Sequence, residues 1–292
     1  MGEQAWRTII TESYDAITLR DEQMVLSSDE KEARIPVAQI RELLLSSDRG
    51  SISLPLLVSL AQNNTQVVFC NKKREPIGEL AGINANALTA GRLMDQAEWK
   101  SRRKDAVWKQ IVRQKITNQI ALLDSLNIEI PKEMPEYAKN IIGADETNRE
   151  AVAARCYFTR LFGTGFIRFD EDNVNAALNY GYTIIRSAFS RSISLHGYST
   201  ALGIHHCNRQ NKFNFSCDLM EPFRPFVDRV VYANKDRELD FEYKKRFVEL
   251  LHEQCLFDGK HMEIATAIDG FVVDTVTNMG EPRGKLKVVK ID

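Results

Sequence analysis

The chain has 292 residues, a length that fits about two domains of ordinary size. Its 43% hydrophobic and 27% charged residues are typical of globular proteins. The absence of an apolar run near 20 residues argues against a membrane protein, and a net charge of −1 gives no general attraction to nucleic acid. The start, MGEQAWRT, lacks the features of a signal peptide, and the five cysteines form no CxxC pair, so we expect a cytoplasmic protein.

Short strands are predicted for the first 80 or so residues. Runs of β-branched, aromatic and alternating apolar residues indicate five of them, at 6–11, 14–20, 24–26, 40–45 and 66–70. Ser53 and Pro55 are typical of a helix start, so a short helix is expected over 56–60. Residues 1–82 are therefore predicted to form a β-rich domain.

The character of the chain changes after Gly82. Residues 83–93 are rich in Ala, Gly, Asn and Thr, as a linker would be. The segment from Asp95 to Leu126 has neither Pro nor Gly and carries apolar residues at helical spacing, which predicts one long amphipathic helix. Further helices are expected at 136–142, 147–162, 173–194, 221–234, 240–256 and 260–277. The predicted fold class is α+β, a small N-terminal β-rich domain followed by a larger all-α domain over 94–292.

Acidic residues near a histidine suggest a metal site in the helical part. Asp218 and Glu221 are three residues apart, so they would share one face of a helical turn, and His206 precedes them. Carboxylates with one imidazole suit Mg²⁺ or Mn²⁺. Structural explanations stay open, because Asp218 could cap the helix entered through Pro222, and Glu150 ends a Thr-x-x-Glu capping box.

Other patterns in the sequence give weaker support for a functional site. A zinc site around His205, His206, Cys207 and Cys217 fits no tetrahedral-site spacing, and neither cysteine has a paired base that would make it a nucleophile. Seven basic residues between Lys100 and Lys115, interleaved with tryptophans, could follow a phosphate backbone. They could equally form a solvated helix face.

Three blocks of sequence together resemble the CRISPR-associated integrase, the universal adaptation endonuclease. Residues 150–158 (EAVAARCYF) resemble the family's E-x-x-A-A-x-x-Y-F block, and 172–182 (DNVNAALNYGY) resemble D-x-V-N-A-x-L-N-Y-x-Y. The segments 203–206 (GIHH) and 218–225 (DLMEPFRP) resemble its G-x-x-H and D-x-x-E-P-x-R-P blocks. The likeness extends over about residues 6 to 280 and is nearest to the type II forms, which accompany single-protein effector nucleases.

The resemblance implies a metal-binding, catalytic set of Glu150, His206 and Glu221, with Asp218 as a supporting carboxylate. His206 is chosen over His205 because the family places its histidine three residues after the glycine. The family often has Gly after the catalytic glutamate, where this chain has Ala151. Candidate DNA contacts, from the basic stretch and from proximity to the ligands in sequence, are Arg102, Arg103, Lys109, Arg149, Arg155 and Arg224.

The resemblance also implies an activity and partners. The enzyme would be a metal-dependent DNA endonuclease and integrase that joins double-stranded DNA fragments, through their 3′ ends, to CRISPR repeat DNA. It would act as a homodimer formed through the β-rich domain, together with a small ferredoxin-like adaptation partner. Two alternatives remain open on the residues alone: a stand-alone metal-dependent nuclease, and a non-catalytic helical DNA-binding scaffold.

Overall fold

The structure is a computed structural model that describes residues 7–11, 13–28, 31–47, 49–71, 76–80, 82, 88–280 and 284–291. The chain divides into two compact units. The first comprises Met1–Thr89 with Ser194–Gly197, and the second comprises Ala90–Ile193 with Tyr198–Asp292. Within the described ranges, no helix combines the length and hydropathy of a membrane-spanning segment.

The first unit contains two four-stranded sheets and a helix. Its elements are β1 (Arg7–Thr11), β2 (Ala16–Arg20), β3 (Gln23–Ser28), β4 (Lys31–Pro36), β5 (Ile40–Leu45), β6 (Ser51–Ile52), α1 (Leu54–Gln62), β7 (Gln66–Cys70) and β8 (Pro76–Leu80). One sheet has the order β1-β5-β7-β8 and the other β4-β3-β2-β6. The core of the unit lies around Ile17, Met24, Leu43, Leu56 and Val67.

The predicted strands of this unit are confirmed, and the structure adds three. Strands β5 and β7 have the predicted bounds, whereas Trp6, the first residue of the first predicted strand, lies outside the described residues. Strand β4 was not predicted because four of its six residues are exposed and polar or small, so it has no apolar alternation. The helix α1 begins after Ser53, whose side chain makes no capping hydrogen bond.

The second unit is mostly helical, as predicted. Its elements are α2 (Thr89–Ala97), α3 (Ser101–Ser125), α4 (Met134–Lys139), α5 (Arg149–Phe162), α6 (Asn173–Leu195), α7 (Asn214–Met220), α8 (Arg224–Ala233), α9 (Phe241–Glu249), β9 (Gln254–Phe257), β10 (Lys260–Glu263), α10 (Ile264–Gly280) and β11 (Val289–Lys290). A single 3-10 turn, Glu221–Phe223, joins α7 to α8. The helical periodicity did not predict the three-stranded sheet β10-β9-β11.

The long helix predicted from Asp95 to Leu126 is two helices, α2 and α3. Between them, the ring of Trp99 packs against Tyr198 and Phe215, with ring centroids 5.9 and 5.5 Å away. The half-buried indole thus packs against other parts of the unit at the point where the two helices separate. Of the predicted linker, residues 83–87 lie outside the described residues, and α2 begins within the rest. The bounds of the predicted domains stay a prediction.

Helix α3 lies at the centre of the second unit. Its buried stripe includes Trp108, Ile111, Val112, Ile116 and Leu123, and it packs against α4, α5, α8, α10 and the 3-10 turn. Burial of each such side chain contributes about 1.5–3 kcal/mol to stability. The helix therefore brings the start of α5 and the 3-10 turn together, although they are far apart in sequence.

Candidate active site

Glu150 and Glu221 meet at a lysine on α3. The Nζ atom of Lys115 lies 2.6 Å from Oε1 of Glu150 and 2.5 Å from Oε2 of Glu221. The two carboxylate oxygens are thus no farther apart than the sum of these contacts. Three residues along α3, the buried Asn118 donates a hydrogen bond of 2.8 Å to the carbonyl of Pro222, which fixes the helix to the turn that carries Glu221.

The capping box expected at the start of α5 is absent. Asn148 stands at the N-cap with φ 51° and without a side-chain capping bond. Instead, the carboxylate of Asp145 accepts hydrogen bonds from the backbone N–H groups of Arg149 (2.8 Å) and Glu150 (2.9 Å). The first turn of α5 is therefore capped from outside, and the side chain of Glu150 is left to face Lys115.

Glu221 is buried between two cations. Its side chain is 3% exposed, and Arg224 donates from Nε to Oε1 at 2.8 Å. Burial alone would raise the pKa of Glu221, but Arg224 and Lys115 outweigh it and lower this pKa to about 2. Burial also acts to lower the pKa of Lys115, but Glu150 and Glu221 raise it overall. The site is thus a charged cluster of two anions and two cations.

His206 is oriented by Asp218, the supporting carboxylate. Nδ1 of His206 lies 2.6 Å from Oδ1 of Asp218, a fully buried side chain. This hydrogen bond raises the pKa of His206 against the effect of burial, and the charges of Glu221 and Glu150 raise it further. Because an ionised carboxylate only accepts, Nδ1 carries a proton and Nε2 is the nitrogen left for a ligand.

Asp218 also holds the loop in which His206 lies. Its oxygens accept backbone N–H bonds from Ile204 (2.6 Å), His205 (3.0 Å) and His206 (3.0 Å). A Cβ on Gly203 would lie 2.3 Å from the carbonyl oxygen of His206 and 2.8 Å from Asp218, so this position requires glycine. The interpretation of Asp218 as a cap of the helix after Pro222 is wrong, since its carboxylate accepts its hydrogen bonds from this loop.

The two adjacent histidines have different surroundings. The ring of His205 is stacked on Trp108, with centroids 4.4 Å apart and planes 2° from parallel. His206 meets the same indole edge-on at 5.7 Å. Trp108, a residue of α3, is 1% exposed, so it contacts both imidazoles from the protein interior and is buried too deeply to stack on a base of bound DNA. Asp218 contacts the backbone of both residues, but it is the imidazole ring of His206 that is hydrogen-bonded to it.

A second network supports Glu221 through Arg224. The guanidinium carbon of Arg224 lies 4.5 Å from the ring centroid of Tyr182. The hydroxyls of Tyr182 and Tyr157 donate to the two oxygens of the buried Asp228, at 2.5 and 2.9 Å. Burial raises the pKa of Asp228 to about 6, although both tyrosines act to lower it. Both tyrosines belong to the sequence blocks quoted above, and sequence reasoning gave them no role.

The residues of this cluster fit a divalent cation, although they are not arranged as a closed metal site. Among the described residues, no three His, Cys, Asp or Glu side chains lie close enough together to hold an ion. However, Oε2 of Glu221 is buried and accepts no well-aligned hydrogen bond, even though Lys115 Nζ is 2.5 Å away. This oxygen of Glu221, the carboxylate of Glu150 and the imidazole nitrogen of His206 are of the kinds that Mg²⁺ or Mn²⁺ accepts as ligands.

A cavity of about 370 Å³, with both polar and apolar lining residues, adjoins His206. Its lining includes Lys104, Asn208, Arg209, Asn211 and Asn214. Amide and cationic side chains of this kind can bind phosphate oxygens and the polar edges of bases. The cavity gives the histidine side of the cluster room for a substrate, and no local sequence pattern indicated it.

The basic stretch on α3 is only partly available to DNA. Arg103 donates to the backbone and side-chain oxygens of Asn278 at 2.6 and 3.0 Å, Arg113 donates to Ala138, and Lys115 lies in the carboxylate cluster. These three cations are bound within the protein. The exposed members of the stretch include Lys100 and Arg102, with Lys109 half-buried.

The three arginines proposed near the ligands also differ. Arg224 is bound to Glu221, and the guanidinium of Arg149 lies 5.4 Å from the ring centroid of Tyr137. Arg155 is exposed on α5. Arg155 is therefore the most accessible of the three to a phosphate, while Arg224 primarily fixes a carboxylate.

Comparisons with known proteins agree with this architecture. The family model "CRISPR associated protein Cas1" matches residues 8–256. A "CRISPR-associated endonuclease Cas1" of Neisseria meningitidis serogroup C (strain 8013) is 30% identical over 273 residues, covering 91% of this chain and 90% of the relative.

Two solved structures show the same fold. A "casposase bound to integration product" matches with a TM-score of 0.80 at 16% identity, covering 96% of this chain and 92% of that one. A "Cas6-RT-Cas1–Cas2 complex" matches with a TM-score of 0.74 at 18% identity, covering 95% of this chain and 35% of that one. The family match and the relative together decide the assignment: the chain belongs to the Cas1 family and is a CRISPR adaptation integrase.

Proposed function

We propose that this integrase is metal-dependent, with Glu150, His206 and Glu221 binding Mg²⁺ or Mn²⁺. The observation that supports it is the convergence of two carboxylates, from α5 and from the 3-10 turn, on one point inside the protein. Two carboxylates that meet repel each other unless a cation lies between them, so the point that the Lys115 ammonium occupies is one that a divalent cation could also occupy. His206 lies within electrostatic reach of both.

The proposed reaction is transesterification. The 3′-oxygen of a DNA fragment forms a bond to a phosphorus at the edge of a CRISPR repeat, and the bond from that phosphorus to the repeat strand's own 3′-oxygen breaks. The attacking hydroxyl loses its proton and the leaving oxygen gains one. One phosphodiester replaces another, so no nucleotide triphosphate is consumed. A bound divalent ion would stabilise charge on the phosphoryl oxygens and favour ionisation of the attacking hydroxyl.

The protein's own residues hold the proposed metal ligands in place. Asp218 keeps Nε2 of His206 directed away from itself, and it holds the backbone of the histidine loop. Carboxylate–histidine pairs of this kind set the tautomer and raise the basicity of the ligand nitrogen. Arg224 fixes one oxygen of Glu221 and leaves the other in contact with Lys115. Rigid placement of this sort is how an active site lowers the entropic cost of reaction.

DNA contacts and partners form the remaining part of the proposal. Exposed cations on α3 and α5, including Arg102 and Arg155, would bind phosphates without regard to sequence. The partners would be double-stranded fragments with 3′ ends, CRISPR repeat DNA, a second copy of the chain and a small ferredoxin-like adaptation protein. One of the solved structures with this fold is itself a Cas6-RT-Cas1–Cas2 complex, which is consistent with such an assembly. The reaction would take place in the cytoplasm.

The decisive test is strand transfer with the purified protein. A labelled duplex with free 3′-hydroxyls and a supercoiled plasmid carrying a CRISPR repeat are incubated with Mn²⁺, Mg²⁺ or a chelator. Joined products that depend on the metal, and that disappear with Glu150→Gln and Glu221→Gln, are expected. Because the adaptation partner is proposed to assist, the assay is run with and without it. Shortened DNA without joined products would instead indicate a stand-alone nuclease, and joining in chelator would reject metal dependence.

A further inference from the structure

Lys115 is the one feature of the cluster that the proposed function does not use. Its side chain is 10% exposed and its ammonium contacts one oxygen of each candidate metal ligand. It lies in the middle of the 25-residue helix α3, away from either end. A buried lysine placed between two carboxylates balances their charge and occupies the point at which they converge.

An ammonium group and a divalent ion cannot both occupy that point. Mg²⁺ takes its oxygen ligands at about 2.1 Å, within the volume that an ammonium in contact with the same oxygens already fills. Two positive centres a few ångströms apart in a poorly solvated site also repel each other strongly. Lys115 must therefore move, or the ion must bind weakly.

The two cations around Glu221 differ in how easily they can move. Arg224 is held by its bond to Glu221 and by its position over the ring of Tyr182. Among the described residues, the ammonium of Lys115 contacts only the two carboxylates. A lysine side chain has four flexible methylene groups, whereas the planar guanidinium of an arginine presents its N–H donors in a rigid arrangement.

We propose that Lys115 is an internal counter-ion of the metal site. Its ammonium holds Glu150 and Glu221 together before the metal arrives, and the side chain leaves the point of convergence when the divalent ion binds. Lys115 is thus a positioning residue, one that lowers metal affinity in exchange for a preformed pair of ligands. This inference rests on the proposed metal-dependent function.

The experiment measures Mn²⁺ binding to the full-length, metal-free protein by isothermal titration calorimetry. Replacing Lys115 with Met gives an unbranched side chain one atom shorter and removes its charge, so Mn²⁺ should bind about tenfold more tightly or better. Lys115→Arg keeps the charge and should show no gain. The variant Lys132→Met, which removes an exposed lysine that is not part of the cluster, should match the wild type.

Thermal melts supply the second measurement. Metal-free Lys115→Met should melt at a lower temperature than the wild type, because the buried Glu221 and the half-buried Glu150 lose their shared counter-ion. Saturating Mn²⁺ should close most of that gap. If the Met variant does not fold, Lys115→Gln, which keeps a hydrogen-bond donor without charge, carries the same prediction of tighter binding.

The outcomes separate this inference from the function on which it rests. Equal or weaker Mn²⁺ binding in a folded Lys115→Met or Lys115→Gln protein, with wild-type binding intact, would overturn the counter-ion role alone. A tighter Lys115→Arg protein would do the same. If neither the wild type nor any Lys115 variant binds Mn²⁺, the metal-dependent function fails and this inference fails with it.

Discussion

His206 and Asp218 share a hydrogen bond of 2.6 Å between Nδ1 and Oδ1, and the same carboxylate accepts three backbone N–H groups of the histidine loop. One buried side chain therefore sets both the orientation of the ring and the course of its backbone. Under the proposed metal-dependent function, a carboxylate in this position would affect metal binding without touching the metal.

Asp218→Asn should therefore weaken both binding and catalysis. The amide cannot accept on both sides, so some of the four donors lose their partner, and Mn²⁺ affinity and strand-transfer rate should each fall by about 10–100-fold. The unfolding free energy should fall by roughly 2–4 kcal/mol as a buried network is broken. Calorimetric titration, a strand-transfer time course and urea unfolding measure the three effects. An Asn variant with wild-type metal affinity would mean that Asp218 serves the fold only.

A pair of alanine variants distinguishes the adjacent histidines. His206→Ala should lower strand transfer by more than about 100-fold, since it removes a proposed ligand and not only its orientation. His205→Ala should keep most of the activity, because this ring is stacked on Trp108. Rates for both purified proteins at saturating Mn²⁺, with circular dichroism as a check of folding, decide the matter. The reverse result, activity lost only in His205→Ala, would move the ligand by one residue.

The buried Asp228 should make stability depend on pH. Its pKa is raised to about 6 in the folded protein from an ordinary 3.8, so between these values the folded state binds more protons than the unfolded state. The contribution of Asp228 to the free energy of unfolding, roughly 3 kcal/mol, is then fully present below about pH 4 and is lost as the pH rises through 6.

Asp228→Asn isolates that contribution. The variant has no titrating group between Tyr157 and Tyr182, so its unfolding free energy should fall less than that of the wild type between pH 4 and pH 6.5. Urea unfolding at several pH values in this range measures the difference, with Asp236→Asn, on an exposed residue, as the matched control. Parallel pH profiles for the wild type and Asp228→Asn would show that the carboxylate is ionised throughout.

Local sequence pattern predicted those elements whose burial follows a simple period. Strand β5, Ile40–Leu45, is buried along its whole length and was predicted within its exact bounds. Most of the hairpin of β9 and β10 falls within the helices predicted over 240–256 and 260–277, so that prediction is wrong for these residues. Asp258 and Gly259, both with positive φ, form the turn, and such an Asp-Gly pair was the available signal for a hairpin.

The candidate site could be predicted only in part. Its carboxylates and histidine were found through motif resemblance, because contacts over 35 residues or more leave no local pattern. Lys115 was grouped with the DNA-facing cations, yet it follows Ile111 by four residues and Val112 by three, on the buried face of α3. That spacing was a usable sign of burial. The role of Asp145 as the cap of α5, in place of the expected capping box, depends on loop geometry that the sequence does not specify.

The exposed cations of α3 should set the salt dependence of DNA binding. Arg103 is unsuited to the test, because its bonds to Asn278 mean that its loss would disturb the fold. Replacing the more accessible Lys100, Arg102 and Lys109 with Gln removes three charges without touching the carboxylate cluster. If each neutralises one phosphate, the slope of log binding constant against log salt concentration should become less steep by about 0.9 per residue, and so by up to about 2.7.

Fluorescence anisotropy with a short duplex across a range of salt concentrations measures that slope. A control protein loses three exposed lysines that lie outside α3, namely Lys235, Lys245 and Lys260. It has the same net charge as the test variant, so a smaller change in its slope would show that the position on α3 matters and not total charge alone. Equal slopes in the test variant and the wild type would assign the α3 cations to a solvated helix face. The DNA path would then have to run past Arg155 and the cavity beside His206.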